Sequence, residues 1–231
     1  VDASIEGDEV TVRASGVPEG KHTISVIAVD NAGLEGPNAL APVWVESAPF
    51  AWDDAVVYVV MPDRFRNGDV SNDPAPVGAS PGADFEGGDL QGLTQAIEDG
   101  YFDDLGVNAL WVTPWMVNPP DAHIAADDFH RVTGYHGYWP TDPLGVDERF
   151  GGPEALEAMV EAAHAHGIRI LMDLVLNHVH EDHPYVAEHP DWFNTGCVCG
   201  TADCDWTARR LDCLFRPYMP DIDWTNLDAQ E

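Results

Sequence analysis

Apolar and polar positions alternate along the first part of the chain. DEVTVRAS and HTISVIAVD carry this period of two, which predicts half-buried antiparallel strands with VPEGK as the turn between them. NAGLEGPNALAP reads as a Gly/Pro-rich connection, PVWVE as a third short strand, and SAPFAWDD as a linker. From Ala55 the pattern changes. AVVYVVM, NALWVTP and IRILMDLVLNH (168–178) are apolar runs without alternation, as in parallel strands buried on both faces. Helix-period stretches lie between them. QGLTQAIEDGYFDDLG sets Leu93, Ile97 and Tyr101 at i, i+4 and i+8, with Gly106 after its end. PEALEAMVEAAHAHG has Pro153 in its first turn, Leu156, Met159, Val160 and Ala163 on one face, and Gly167 beyond.

The order strand, helix, strand, helix, strand predicts parallel βαβ units of an α/β fold. Three units cannot close an eight-stranded barrel, which takes about 250 residues. The sheet is therefore a small open one or the first part of a barrel. The expected division is a β segment over 1–46 and an α/β region over 47–231.

Charge narrows the partners. Forty-one acidic residues against ten basic give a net charge of −31, and Lys21 is the only lysine. Such a surface repels phosphates and argues against nucleic acid, while suiting neutral substrates and bound cations. No run approaches the roughly 18 apolar residues of a membrane helix, so no membrane partner is expected. Cys197, Cys199, Cys204 and Cys213 cluster together without the two-residue gap of zinc knuckles. Two disulfides are the better reading, with three pairings open, and they imply a compartment outside a reducing cytosol.

Polar residues then mark candidate chemistry. Asp173 interrupts the third apolar run, and Asn177 and His178 close it, at the strand end where α/β folds place their sites. After the first strand, Asn67, Asp69, Asn72, Asp73 and Asp89 supply five hard oxygen side chains among glycines. That set suits calcium, or else an ordinary turn cluster. After the second strand, TGYHGYWPTD gathers Tyr135, His136, Tyr138 and Trp139, suited to stacking on a sugar ring or to plugging a loop.

Taken in order, DRFRNGD, GGDLQGL, GYHGYWPTDP, FGG and DLVLNH resemble the alpha-amylase family of glycoside hydrolases over about residues 55–226, with PYMPDIDWTN as a later motif. EGKHTISVIAVDNAG resembles the last strands of immunoglobulin-like modules. The resemblance implies the first three βα units of a (β/α)8 barrel, a protruding domain beginning over 179–231, and an incomplete immunoglobulin-like segment in front. It implies a secreted or periplasmic protein acting on α-glucosidic bonds of starch-like glucans, by hydrolysis or transglycosylation.

Residue by residue, it makes Asp173 a carboxylate that orients active-site groups. Asn177 and Asp221 become ligands of one calcium ion. His136 and His178 would hydrogen-bond the sugar, with Tyr138 stacking on it and Trp139 alongside. Asn67, Asp69, Asn72, Asp73, the Gly87 carbonyl and Asp89 match a second calcium site. One departure stands out. The family's nucleophile, acid and third carboxylate belong to later strands, so no catalytic residue is expected here and the chain alone should be inactive. Its start at Val1 likewise suggests a product cut from a longer one. The alternatives are a non-catalytic carbohydrate-binding homologue and a structural calcium-binding module.

Overall fold

The computed structural model describes residues 1–7, 9–47 and 50–230. Asp8 of the first predicted strand, Ala48 and Pro49 of the predicted linker, and Glu231 lie outside them. Two compact units are present, Val1–Ala55 and Val56–Glu231.

In the first unit, β1 (Asp2–Glu6) pairs antiparallel with β2 (Glu9–Arg13), and β3 (Gly20–Val29) with β4 (Glu35–Val45), as separate two-stranded sheets. These hairpins resemble an immunoglobulin-like element. The predicted Gly/Pro-rich connection is mostly strand. Only a tight turn separates β3 from β4, with Asp30 Oδ1 accepting the N–H groups of Ala32 and Leu34 at 2.8 and 2.9 Å. Prolines survive in β4 because both strands of a two-stranded sheet are edges, and a missing N–H can face outward. The alternating pattern does not predict β1. It exists as the partner of β2.

The second unit contains a partial α/β barrel. β5 (Val57–Val60) leads through a long loop to α1 (Leu90–Glu98) and α2 (Tyr101–Asp104), then to β6 (Ala109–Val112). A small hairpin, β7 (His123–Ile124) with β8 (Arg131–Val132), rises from the next loop. It precedes α3 (Gly152–Ala165) and β9 (Arg169–Met172). The sheet order is β5-β6-β9, all parallel. The single helix expected over 91–106 is broken at Gly100, whose φ of 77° ends α1.

Leu90, Leu93, Ala96 and Ile97 of α1 are fully buried with Phe102, Leu110, Val112, Met159 and Ile168. Each large side chain stabilises the unit by about 1.5–3 kcal/mol. All this burial is on the helix-covered face of the sheet. On the opposite face Val59 and Trp111, neighbours in register, are 62% and 44% exposed. The strands are thus covered on one face only, because both long helices pack on the same side. β9 is also shorter than the apolar run that predicts it. Asp173 N–H makes a last ladder bond to Val112 O, and the neighbouring strand then reaches Pro114, which has no N–H to continue the ladder.

Candidate functional site

Three parallel strands bring their carboxyl ends to one edge, and the loops leaving that edge carry the polar residues. Asp173, one residue past β9, accepts a 2.6 Å hydrogen bond from the Tyr138 hydroxyl across 35 positions of sequence. Burial first, and the Asp173 carboxylate second, push the Tyr138 phenol up to about 12. The loop carrying Tyr138 approaches the end of β6 closely. Gly137 has φ 87°, and a Cβ there would stand 1.9 Å from the Pro114 carbonyl oxygen. Buried Asn118 fixes the next residue, accepting Trp139 N–H at 2.8 Å while donating to Met116 O.

His136 Nδ1 accepts the Tyr138 backbone N–H at 3.0 Å. That bond leaves the ring proton on Nε2, available as a donor. Burial, then the nearby His178 and Arg64, lower its pKa to about 4, so the ring is neutral at pH 7. The two rings of His136 and Tyr138 stack with centroids 5.7 Å apart. His178 has an internal partner: its Nε2 lies 2.9 Å from the Tyr138 carbonyl, and Nδ1 lies 3.4 Å from the Asn177 amide. Its geometry therefore holds the Tyr138 loop in place. Trp139 is buried, with its ring against His123, His136, His180 and Tyr218, so it supports the wall from behind.

Arg64 belongs to this wall, although the sequence reading assigns it no role. Its guanidinium lies 3.8 Å above the Tyr135 ring and bonds to Asp63 at 2.7 Å. The signal was present in the DRFRNGD stretch, but only the fold brings it to Tyr135.

The two oxygen clusters are assembled as well. Asn67 Nδ2 faces both oxygens of Asp73 at 2.8 and 3.0 Å, and Asn177 Nδ2 faces Asp221 Oδ1 at 3.0 Å. In each pair the positive end of an amide lies against a carboxylate. Half a turn of the amide would set oxygen beside oxygen, the donor set of a hard cation. Two observations make the first cluster fit such an ion. Asn72 Oδ1 is buried without a hydrogen-bond partner, and a Cβ on Gly87 would fall 2.5 Å from Asp73 Oδ1. Asp69 Oδ1 accepts the Ser71 N–H. Asp89 is already saturated: its two oxygens accept from Gly92 N, Gly68 N, Asp69 N and Asn72 Nδ2. In the second cluster Asp221 is buried with Asn177 as its side-chain partner, and burial raises its pKa to about 6.

A third cluster is not foreseen from the sequence. His123, His180 and Glu181 place one ligand atom each within 4.8 Å of one another, a potential metal-binding group. The cysteines form two bridges, Cys197 to Cys204 and Cys199 to Cys213. Among the described residues, no helix is long and apolar enough to cross a membrane.

Comparison with known proteins places this geometry. Residues 59–206 match the family model described as alpha amylase, catalytic domain. The chain is 42% identical over 138 residues to the periplasmic alpha-amylase of Escherichia coli, covering 57% of this chain and 20% of that protein. It is 32% identical over 178 residues to a cyclomaltodextrin glucanotransferase of Paenibacillus macerans, covering 70% and 24% respectively. Among solved structures, an Anoxybacillus alpha-amylase aligns with a TM-score of 0.63 at 29% identity, covering 79% of this chain and 37% of the other. The chain thus spans about a fifth to a quarter of these curated relatives. With well over half of its residues matched by the family model, and with the strand-end loops ordered as described, the chain belongs to the alpha-amylase family.

Proposed function

We propose that this chain supplies a sugar-binding wall of a protein that hydrolyses or transfers α-glucosyl groups of starch-like glucans. The observation that carries this is the bond from Tyr138 to Asp173, which fixes a phenol ring and a neutral His136 side by side at the strand ends. An aromatic face with a neighbouring N–H donor matches a sugar ring, apolar on its face and hydroxylated at its edge. Arg64 and Tyr135 extend the same wall. The E. coli relative is named as an alpha-amylase and the P. macerans relative as a glucanotransferase, which supports this substrate class without choosing between the two outcomes.

Binding and positioning are the contributions of this chain. Retaining cleavage needs two carboxyl groups about 5–5.5 Å apart, one as nucleophile and one as acid/base. Three carboxylates near the strand end are already engaged: Asp173 by Tyr138, Asp221 by Asn177 and Asp223 by Thr225. The bond-breaking pair accordingly belongs to parts of the relatives that this chain does not span. Asn67, Asp69, Asn72, Asp73 and the Gly87 carbonyl would hold one calcium ion, with Asp89, its oxygens taken by four N–H donors, fixing the loop behind them, and Asn177 with Asp221 would hold a second. Bound calcium would supply fixed positive charge among acidic loops. The disulfides and the periplasmic relative support a location outside the reducing cytosol.

Calorimetric titration of the chain with maltoheptaose, with and without calcium, tests the reading. Saturable binding that is lost in Tyr138→Ala supports it. No binding under either condition overturns it and leaves a calcium-stabilised structural module. Release of reducing ends from starch by the purified chain would refute the assignment of the carboxylate pair elsewhere.

A further inference from the structure

Behind the sugar-facing wall, three segments distant in sequence meet around two imidazoles. His123 sits in β7 of the small hairpin, and His180 and Glu181 lie in the segment after β9. Tyr218 packs its ring 4.8 Å from that of His123, and its hydroxyl donates to Ile124 O. Glu181 N–H donates to Tyr218 O, and His180 N–H to Pro140 O, so the backbone around the cluster is fixed on both sides.

The nitrogens are the anomaly. His180 is fully buried, and its Nε2 has no hydrogen-bond partner; His123 Nε2 is buried and unpartnered as well. Native interiors pair such groups or give them another ligand. His180 Nδ1 accepts the Asp182 backbone N–H at 3.2 Å, which places the ring proton on the unpartnered Nε2. The ring centroids are 4.6 Å apart at 72°, yet the two imidazoles do not bond to each other.

We propose that His123, His180 and Glu181 form a site for a zinc-class divalent cation, separate from the oxygen-donor calcium sites. Two imidazole nitrogens and one carboxylate are a donor set that zinc takes, with a fourth position left for water, whereas calcium takes oxygen. Tetrahedral ligands at about 2.1 Å from zinc lie about 3.4 Å apart, so modest side-chain rotation closes the present spacing. Metal on Nε2 moves the ring proton to Nδ1, where the Asp182 carboxylate, 3.4 Å away, replaces the Asp182 backbone N–H as the partner and accepts the hydrogen bond. The bound cation ties the β7–β8 hairpin to the segment after β9. It thereby braces Trp139, whose buried ring lies with its centroid 5.7 Å from that of His123 and 6.5 Å from that of His180.

The test is zinc titration of the chelator-stripped 231-residue chain by calorimetry and thermal melting, with millimolar calcium present throughout. Cobalt(II) serves as a spectroscopic substitute for the coordination geometry. The expected result is one zinc per chain, a raised melting temperature, and tetrahedral cobalt bands. Exposed Glu181→Gln, which leaves the fold intact, should weaken zinc about tenfold or more, since even outer-shell changes cost 10–100-fold. His123→Gln should abolish binding. Zinc affinity equal in the wild type and both variants would assign the ion to other histidines and overturn the proposal. So would displacement of zinc by calcium, or no zinc binding at all.

Discussion

Asp89 offers the sharpest test of how the long loop after β5 is held. The residue is fully buried at the N-cap of α1, and four N–H donors converge on its carboxylate. Two serve the helix and the loop at 2.6 and 2.9 Å through Oδ1, and two more reach Oδ2 at 2.9 and 3.2 Å. Asp89→Ala removes the cap, about 1 kcal/mol, and leaves three other donors without an acceptor. At about 1 kcal/mol each, the low end for groups that water partly reaches, the total is about 4 kcal/mol. Asp89→Asn keeps one oxygen for Gly92 and Gly68 but sets an NH2 against the remaining donors, and should cost about half as much. In urea unfolding with an m-value of about 2 kcal/mol/M, the alanine variant should lose about 2 M in midpoint and the asparagine variant about 1 M. An alanine variant within about 0.5 M of the parent, or an asparagine variant worse than alanine, would refute this account of the loop.

Other outcomes are equally concrete. The folded-state pKa of His136 is lowered from its ordinary 6.5 to about 4, so the unfolded chain binds the extra proton first on acidification. Its stabilising contribution is full above pH 6.5, falls between 6.5 and 4 by about 3 kcal/mol, and should flatten in His136→Gln when denaturation midpoints are followed against pH. Gly137→Ala should cost more than about 2 kcal/mol in thermal melting, because its Cβ meets backbone oxygen at a left-handed φ. It should also weaken maltoheptaose binding with Tyr138 displaced. Removing the Cys199 to Cys213 bridge, a separation of 14 residues, by Cys199→Ser with Cys213→Ser should lower stability by about 3 kcal/mol in chain-entropy terms, read as a shift in the urea midpoint.

The parts of the fold legible in the sequence are those where one local pattern decides. The face of α3 and its glycine stop show plainly, as do the unalternating runs that become β5, β6 and β9. Where a neighbouring strand decides, the sequence is silent. β4 forms because β3 offers a ladder, and β9 stops because β6 reaches a proline. The site follows the same division. Motif order brings His136, Tyr138 and Asp173 to notice, but only packing shows that Trp139 is buried and that a His178 nitrogen is spent on a backbone carbonyl. Arg64 over Tyr135, and His123 beside His180, join residues far apart in the chain, and no spacing rule finds them.

The interleaved bridges carry a consequence for the order of assembly. Closing Cys199 onto Cys204 would make a shorter loop than the Cys197 to Cys204 bond that forms. Closure entropy favours the wrong partner, though by only about 0.3 kcal/mol. What separates them is backbone pairing: Leu214 N–H donates to Cys197 O and Cys199 N–H to Leu214 O, which carries the Cys199 sulfur to the side of Cys213. Oxidation therefore records a conformation that hydrogen bonds have already chosen. A chain oxidised without those two bonds would give a mixture of isomers, the mispaired one favoured less than about twofold, and thiol exchange would be needed to convert that fraction.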